Sequence, residues 1–283
     1  MLDRRTLLLG GAAAGAASLW RSAPAWARPG AGRAAIANPG LQLYTVRDLM
    51  ASDLPGTLAA VAAIGYRDVE FAGYFGRGPE EIRQLLDRNG LRSPSAHLDL
   101  NLLRRDRAAA FDLAKTIGHE WVIVAWLPPS ERGKAADWLR LADEFNALGE
   151  AALRVGLRIG YHNHDFEFSP VEGRVPFDLL LEHTDPALVG FELDLYWITR
   201  AGRDPARYLR SGPGRYAMVH VKDMDASSAR GMTDPGRGTI DFRTLLPLAR
   251  LAGVRHWYVE HDSTPDPLRT ARVGYRFLQA AEV

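Results

Sequence analysis

The chain has 283 residues, a formal net charge of +1, 47% hydrophobic and 24% charged residues, and no cysteine. Near-neutral charge gives no electrostatic case for a nucleic-acid partner. The missing cysteines exclude disulfides, thiolate metal ligands and a cysteine nucleophile, so any metal must be held by His, Asp and Glu.

Residues 1–27 read as an export signal. Arg4-Arg5 precede a mild apolar run through Leu19, and Ala25-Trp26-Ala27 forms an Ala-x-Ala cleavage pattern. Paired arginines in this position resemble a twin-arginine signal, which implies a periplasmic protein. The run is too short and too rich in Gly and Ala to span a membrane, so no span is expected after processing. A Pro/Gly/Ala linker over 28–39 leads to one domain over 40–283.

In chain order, residues 41–46 (Leu-Gln-Leu-Tyr-Thr-Val) read as a first strand, 54–64 as a helix closed by Gly65, and 66–71 as a second strand. A helix over 79–89 carries Pro in its first turn and Gly90 after it. Strand three covers 91–97, a helix follows over 105–117, and strand four is the unbroken apolar run 121–126. A long amphipathic helix, 131–155, precedes strand five at 157–161. A short helix near 177–183 leads to strand six, 189–195, and strand seven is 217–221. A helix over 242–251, strand eight at 256–260 and a closing helix over 267–281 complete the series. Strands apolar on both faces and alternating with helices predict an α/β fold, a closed (β/α)8 TIM barrel with its site at the strand C-termini. A doubly wound open sheet fits less well, because no Gly-x-Gly-x-x-Gly turn follows strand one.

Polar side chains collect where the strands end. These are Gln42 and Tyr44, Glu70, His97, His162 and His164, Asp194, His220 and Lys222, and Glu260 with His261. Strand side chains alternate faces, so His162 and His164 point together, as do His220 and Lys222. Imidazoles and carboxylates converging from strands five to eight make a mixed N/O metal site, with Mn, Zn, Co, Mg and Fe all suited. His164 is a candidate acid/base or partner to a ligand, and His97 a base or substrate contact. Lys222 is a candidate oxygen-binding group or base, and Glu70 a base on strand two. Gln42, Tyr44, Trp126 and Trp197 are candidate contacts to a sugar ring. His119, His183 and His256 read as structural.

The segments Tyr-His-Asn-His-Asp-Phe-Glu-Phe, His-Val-Lys-Asp and Gly-Arg-Gly-Thr-Ile-Asp resemble the sugar phosphate isomerase/epimerase family with its xylose isomerase-like barrel, over about residues 40 to 280. The resemblance implies one divalent ion bound, by motif, through His162, Asp194, His220 and Glu260. Many relatives place Glu before Asn-His on strand five, where this chain has His162-Asn163-His164, so the strand-five ligand is open among His162, His164 and Glu167. Trp197 stands where many epimerases place a histidine, three residues after the aspartate.

Such a site supports abstraction of a proton next to a carbonyl, with the ion stabilising the enediolate. The implied function is a metal-dependent sugar isomerase or epimerase acting on a small keto sugar or sugar derivative. The same intermediate serves β-elimination, so a 3-keto-glycoside lyase or hydratase is the alternative. An endonuclease-IV-like phosphodiesterase and a non-catalytic exported sugar-binding protein are further alternatives. The sequence leaves oligomeric state, a homo-oligomer included, undecided.

Overall fold

The computed structural model describes residues 35–283, so the expected export signal lies outside the described residues. Eight strands form a closed parallel barrel: β1 (Gly40–Gln42), β2 (Asp68–Phe71), β3 (Arg92–His97), β4 (Trp121–Val124), β5 (Arg158–His162), β6 (Val189–Asp194), β7 (Tyr216–Val221) and β10 (His256–Val259), with β10 closing on β1. The intervening pair, β8 (Asp223–Met224) and β9 (Met232–Thr233), is a small antiparallel ribbon above the rim.

Helices α1 (Arg47–Ile64), α2 (Pro79–Asn89), α3 (Leu100–Arg105), α4 (Arg107–Ile117), α5 (Ala135–Arg154), α6 (Pro176–His183), α7 (Leu195–Arg200), α8 (Pro205–Ser211), α9 (Phe242–Leu251) and α10 (Pro267–Ala280) follow the strands. Gly90 and Gly118 end α2 and α4 at φ 62° and 96°, in the left-handed region that a side chain would disfavour.

Local polar chemistry moves several boundaries from the expected ones. The first strand stops at Gln42, because its side chain accepts the Tyr44 N–H at 3.0 Å and turns Leu43–Val46 into a 3-10 segment. Helix α1 then starts at Arg47 and kinks at Asp53, whose side chain accepts the Gly56 N–H at 3.0 Å and caps the second half of the helix, with Pro55 in its first turn. The helix expected over 105–117 is α4, starting at Arg107 after Asp106, which caps it by accepting the Ala109 N–H; the short helix α3 ahead of it was not among the expected elements. Helices α7 and α8 and the β8–β9 ribbon have no counterpart among the expected elements.

The barrel interior is layered. Trp121, Ile123, Ala217, Met218 and Tyr258 form a buried apolar cluster. The Tyr258 hydroxyl bridges it to β3 by accepting a hydrogen bond from Ser95 at 2.9 Å. One step further toward the strand C-termini the interior turns polar: Gln42, Glu70, His162, Glu192, Asp194 and His220 are all buried. An apolar side chain buried there would contribute about 1.5–3 kcal/mol, whereas buried charge is costly unless paired. So dense a polar layer at the end where barrel enzymes carry their chemistry points to a site rather than to stability.

Candidate active site

Strand alternation builds the site. On β6, Glu192 and Asp194 share the inward face, and His220 on β7 does so with Lys222 just past the strand's end. The register pairs Asp194 with His220, His162 with Glu192, and Gln42 with Glu70. At the tip of β5 the chain is pinned from outside the barrel. Buried Glu167 accepts the Tyr161 hydroxyl at 2.7 Å and the His164 N–H at 2.8 Å, which commits it to holding the tip. Burial pushes its carboxyl up to about 8.

Asp194, His220 and Glu260 bring donor atoms within 4.8 Å of one another. His162 Nε2 lies 4.0 Å from Asp194 Oδ2, and His220 Nδ1 lies 3.9 Å from the same oxygen. His220 Nδ1 is also 2.6 Å from Glu260 Oε2. The buried Asp194 Oδ2 accepts no hydrogen bond, although two imidazoles and the Lys222 ammonium face it. Two imidazoles and two carboxylates suit a divalent ion of the Mn, Zn, Co or Fe class, so the residues present fit the metal expected of the site. A second, overlapping set, His97, His162, Glu192 and His220, also holds its donor atoms within 4.8 Å.

Lys222 caps this arrangement. Its ammonium lies 3.1 Å from Asp194 Oδ2, 2.8 Å from Glu260 Oε2 and 2.8 Å from Asp262 Oδ1. Burial opposes its charge, but Asp194, Glu260 and Asp262 outweigh burial and hold the pKa well above the usual lysine value. It is therefore an ammonium, able to hold an oxygen and unable to serve as a base. For Glu260 burial disfavours the charged form, and Lys222 and His220 overcome it, so the carboxyl titrates well below its ordinary range. Burial lifts Asp194 to about 6 against the pull of Lys222 and His220.

The histidines diverge. Desolvation opposes charging of the part-buried His97, yet Glu70 and Glu192 raise it to about 9. Burial, reinforced by the Lys222 ammonium, drops His164 to about 3. At neutral pH one imidazole is charged and the other is not.

These groups open into a cavity of about 540 Å³ lined by His97, His162, His164, Lys222, Glu260 and Asp262, with Tyr44 and Trp126 on its wall. Trp126 is 56% exposed, at the mouth. Gln42, Glu70 and Trp197 stand behind the wall. Gln42 donates to Glu70 at 2.8 Å, Glu70 lies 2.7 Å from His220 Nε2, and the Trp197 ring packs 5.4 Å from that of His164. Two further residues belong to the site: Glu192 lies within 3.0 Å of three imidazoles, and Asp262 lines the cavity. Both were legible by alternation, in Phe-Glu-Leu-Asp and Glu-His-Asp. His119 is buried away from the site, between the Tyr74 hydroxyl and the Ser93 carbonyl.

The chain is similar to the inosose dehydratase of Lacticaseibacillus casei, 26% identical over 256 residues, covering 76% of this chain and 85% of that protein. In three dimensions it is similar to a sugar phosphate isomerase/epimerase from Parabacteroides distasonis ATCC 8503, with a TM-score of 0.75, 26% identity, and coverage of 88% and 95% of the two chains. The IolI protein, solved with a bound zinc atom, shares the fold at a TM-score of 0.68 and 14% identity, covering 85% of this chain and 96% of its own. The family model described as xylose isomerase-like TIM barrel matches residues 58–281. Together with the closed barrel and its polar mouth, that match assigns the chain to the xylose isomerase-like TIM barrel family.

Proposed function

We propose that the protein abstracts the proton next to the carbonyl of an uncharged keto sugar or cyclic keto-polyol and then expels the β-substituent, a lyase reaction. The observation that carries this reading is that His164 and His97 line one cavity together with members of the donor set of Asp194, His220, Glu260 and His162. His164 can take the α-proton. His97 can deliver a proton to the departing oxygen, so that the C–H and C–O bonds break and the carbon–carbon double bond forms. A divalent ion held by His162, Asp194, His220 and Glu260 would supply Lewis-acid stabilisation of negative charge on the carbonyl oxygen. The Lys222 ammonium holds a neighbouring substrate oxygen, and Trp126 and Tyr44 offer ring faces at the mouth. The dehydratase name of the relative from Lacticaseibacillus casei supports elimination, and the zinc in the IolI structure supports the metal.

The wall charges support an unphosphorylated substrate. Arg104 is engaged by Glu131 and Glu144, each at 2.8 Å, and Lys222 by three carboxylates. Asp99, Glu131, Glu260 and Asp262 also line the cavity. Among the described residues, no arginine or lysine on this wall is left unpaired to receive a phosphate.

Isomerisation or epimerisation is the second reading, supported by the name of the relative from Parabacteroides distasonis. One experiment separates the two. Purified protein is incubated in D2O with an inosose and with a 3-keto-glucoside, with and without chelator, while NMR follows deuterium uptake and products. Chelator-sensitive uptake with loss of water or aglycone supports elimination. Uptake with only rearranged sugar supports the second reading, and no uptake with either substrate sinks both.

A further inference from the structure

We propose that Glu192 is the positioning residue of the metal centre: its buried carboxylate fixes the tautomer and aim of the His162 ligand and ties His220 and His97 to the same anchor. The inference rests on the metal reading above and concerns a residue that does not line the cavity.

Glu192 Oε2 lies 3.0 Å from His162 Nδ1 and 2.7 Å from His97 Nε2. Its Oε1 lies 3.0 Å from His220 Nε2. A carboxylate only accepts, so the His162 Nδ1 facing it must carry the proton. That leaves the Nε2 lone pair of His162 free on the side of Asp194 Oδ2, 4.0 Å away. The same logic applies at His220, whose Nε2 also faces Glu70 at 2.7 Å while Nδ1 faces Asp194 and Glu260. Each imidazole thus turns one nitrogen to a buried carboxylate and the other to the donor cluster, the arrangement by which outer carboxylates orient histidine ligands.

Glu192 is fully buried, and its ion-pair partners among the described residues are the imidazoles of His97, His162 and His220. Glutamine at this position keeps the shape but replaces one carboxylate oxygen by an NH2 donor, which would face either the His220 Nε2 that Oε1 approaches at 3.0 Å or the His162 and His97 nitrogens that Oε2 holds. Its amide would instead turn a donor toward an imidazole N–H, favouring the wrong tautomer.

The test titrates Mn(II) into wild type, Glu192→Gln and Glu192→Asp, reading free Mn(II) by EPR, with far-UV circular dichroism and thermal melts as the fold control. Expected are one Mn(II) per wild-type chain and a Kd 10- to 100-fold weaker in Glu192→Gln, with partial recovery in Glu192→Asp, whose secondary structure stays that of wild type. If Glu192→Gln does not fold, the Glu192→Asp Kd decides alone, and a several-fold weakening supports the proposal. A Kd within twofold of wild type in folded variants overturns it. Two Mn(II) per wild-type chain and one in Glu192→Gln also overturn it, because Glu192 would then be a ligand of a second ion. No Mn(II), Zn(II) or Co(II) binding to wild type would instead remove the metal reading on which the inference stands.

Discussion

The ammonium of Lys222 lies 3.1 Å from Asp194 Oδ2, the oxygen that His162 and His220 approach at 4.0 and 3.9 Å. A lysine and a divalent ion would therefore share one carboxylate oxygen. Like charges so close oppose each other, by several kcal/mol at an effective dielectric constant of about 20.

Replacing Lys222 by Met should consequently separate binding from turnover. The Mn(II) Kd is expected to tighten at least tenfold, equivalent to about 1.4 kcal/mol, while kcat falls at least 100-fold because the substrate oxygen loses its ammonium partner. Equilibrium metal titration and steady-state kinetics on the same preparation check both. Weaker metal binding in a folded Lys222→Met would show that the lysine supports the ion rather than competing with it.

His119 provides a pH test remote from the site. Burial, opposed by the Ser93 carbonyl, lowers its pKa from 6.5 to about 4. The unfolded chain therefore binds this proton first as pH falls. The contribution is fully present above about 6.5 and is lost between there and about 4, by about 3 kcal/mol. Denaturant unfolding at several pH values should show a shallower decline in stability over that window for His119→Gln than for wild type. Identical slopes in the two proteins would refute the assignment.

Gly238 is expected to be intolerant of any side chain. Asp223, next to Lys222, accepts the N–H groups of Gly236, Gly238 and Ile240 at 2.9, 2.8 and 3.2 Å. A Cβ on Gly238 would run into the Asp223 carboxylate and the Met224 carbonyl. Gly238→Ala should lose about 1–3 kcal/mol of stability and lower kcat, since the displaced aspartate adjoins the lysine. Chemical denaturation and an activity assay test this; a variant as stable as wild type would mean that the loop shifts freely.

Export is the fourth prediction. Changing both Arg4→Lys and Arg5→Lys should leave the precursor in the cytoplasm, whereas the unaltered chain appears in the periplasm. Fractionation and immunoblotting decide it, and equal periplasmic yield from both would show that the paired arginines do not direct export.

The barrel was legible because its strands are apolar on both faces and its helices end at glycines such as Gly90 and Gly118. Convergence at the mouth was legible because period-two alternation carries inward-facing residues upward from each strand. What escaped depends on short-range side-chain hydrogen bonds, which leave little periodic trace. Gln42 ends the first strand by accepting the Tyr44 N–H, Asp106 starts α4 after a short extra helix, and Asp194 starts α7 where the sequence reads as continuing strand. Glu192 was visible in Phe-Glu-Leu-Asp, but its contacts lie with β3, β5 and β7, and only closure of the barrel reveals them.

Asp194 also caps α7, its Oδ1 accepting the Trp197 N–H at 2.7 Å. With Oδ1 held by a helix, Oδ2 is the oxygen turned toward His162 and His220. The bond to the helix also holds the carboxylate against rotation, so loading and unloading the ion need not rearrange the mouth of the barrel.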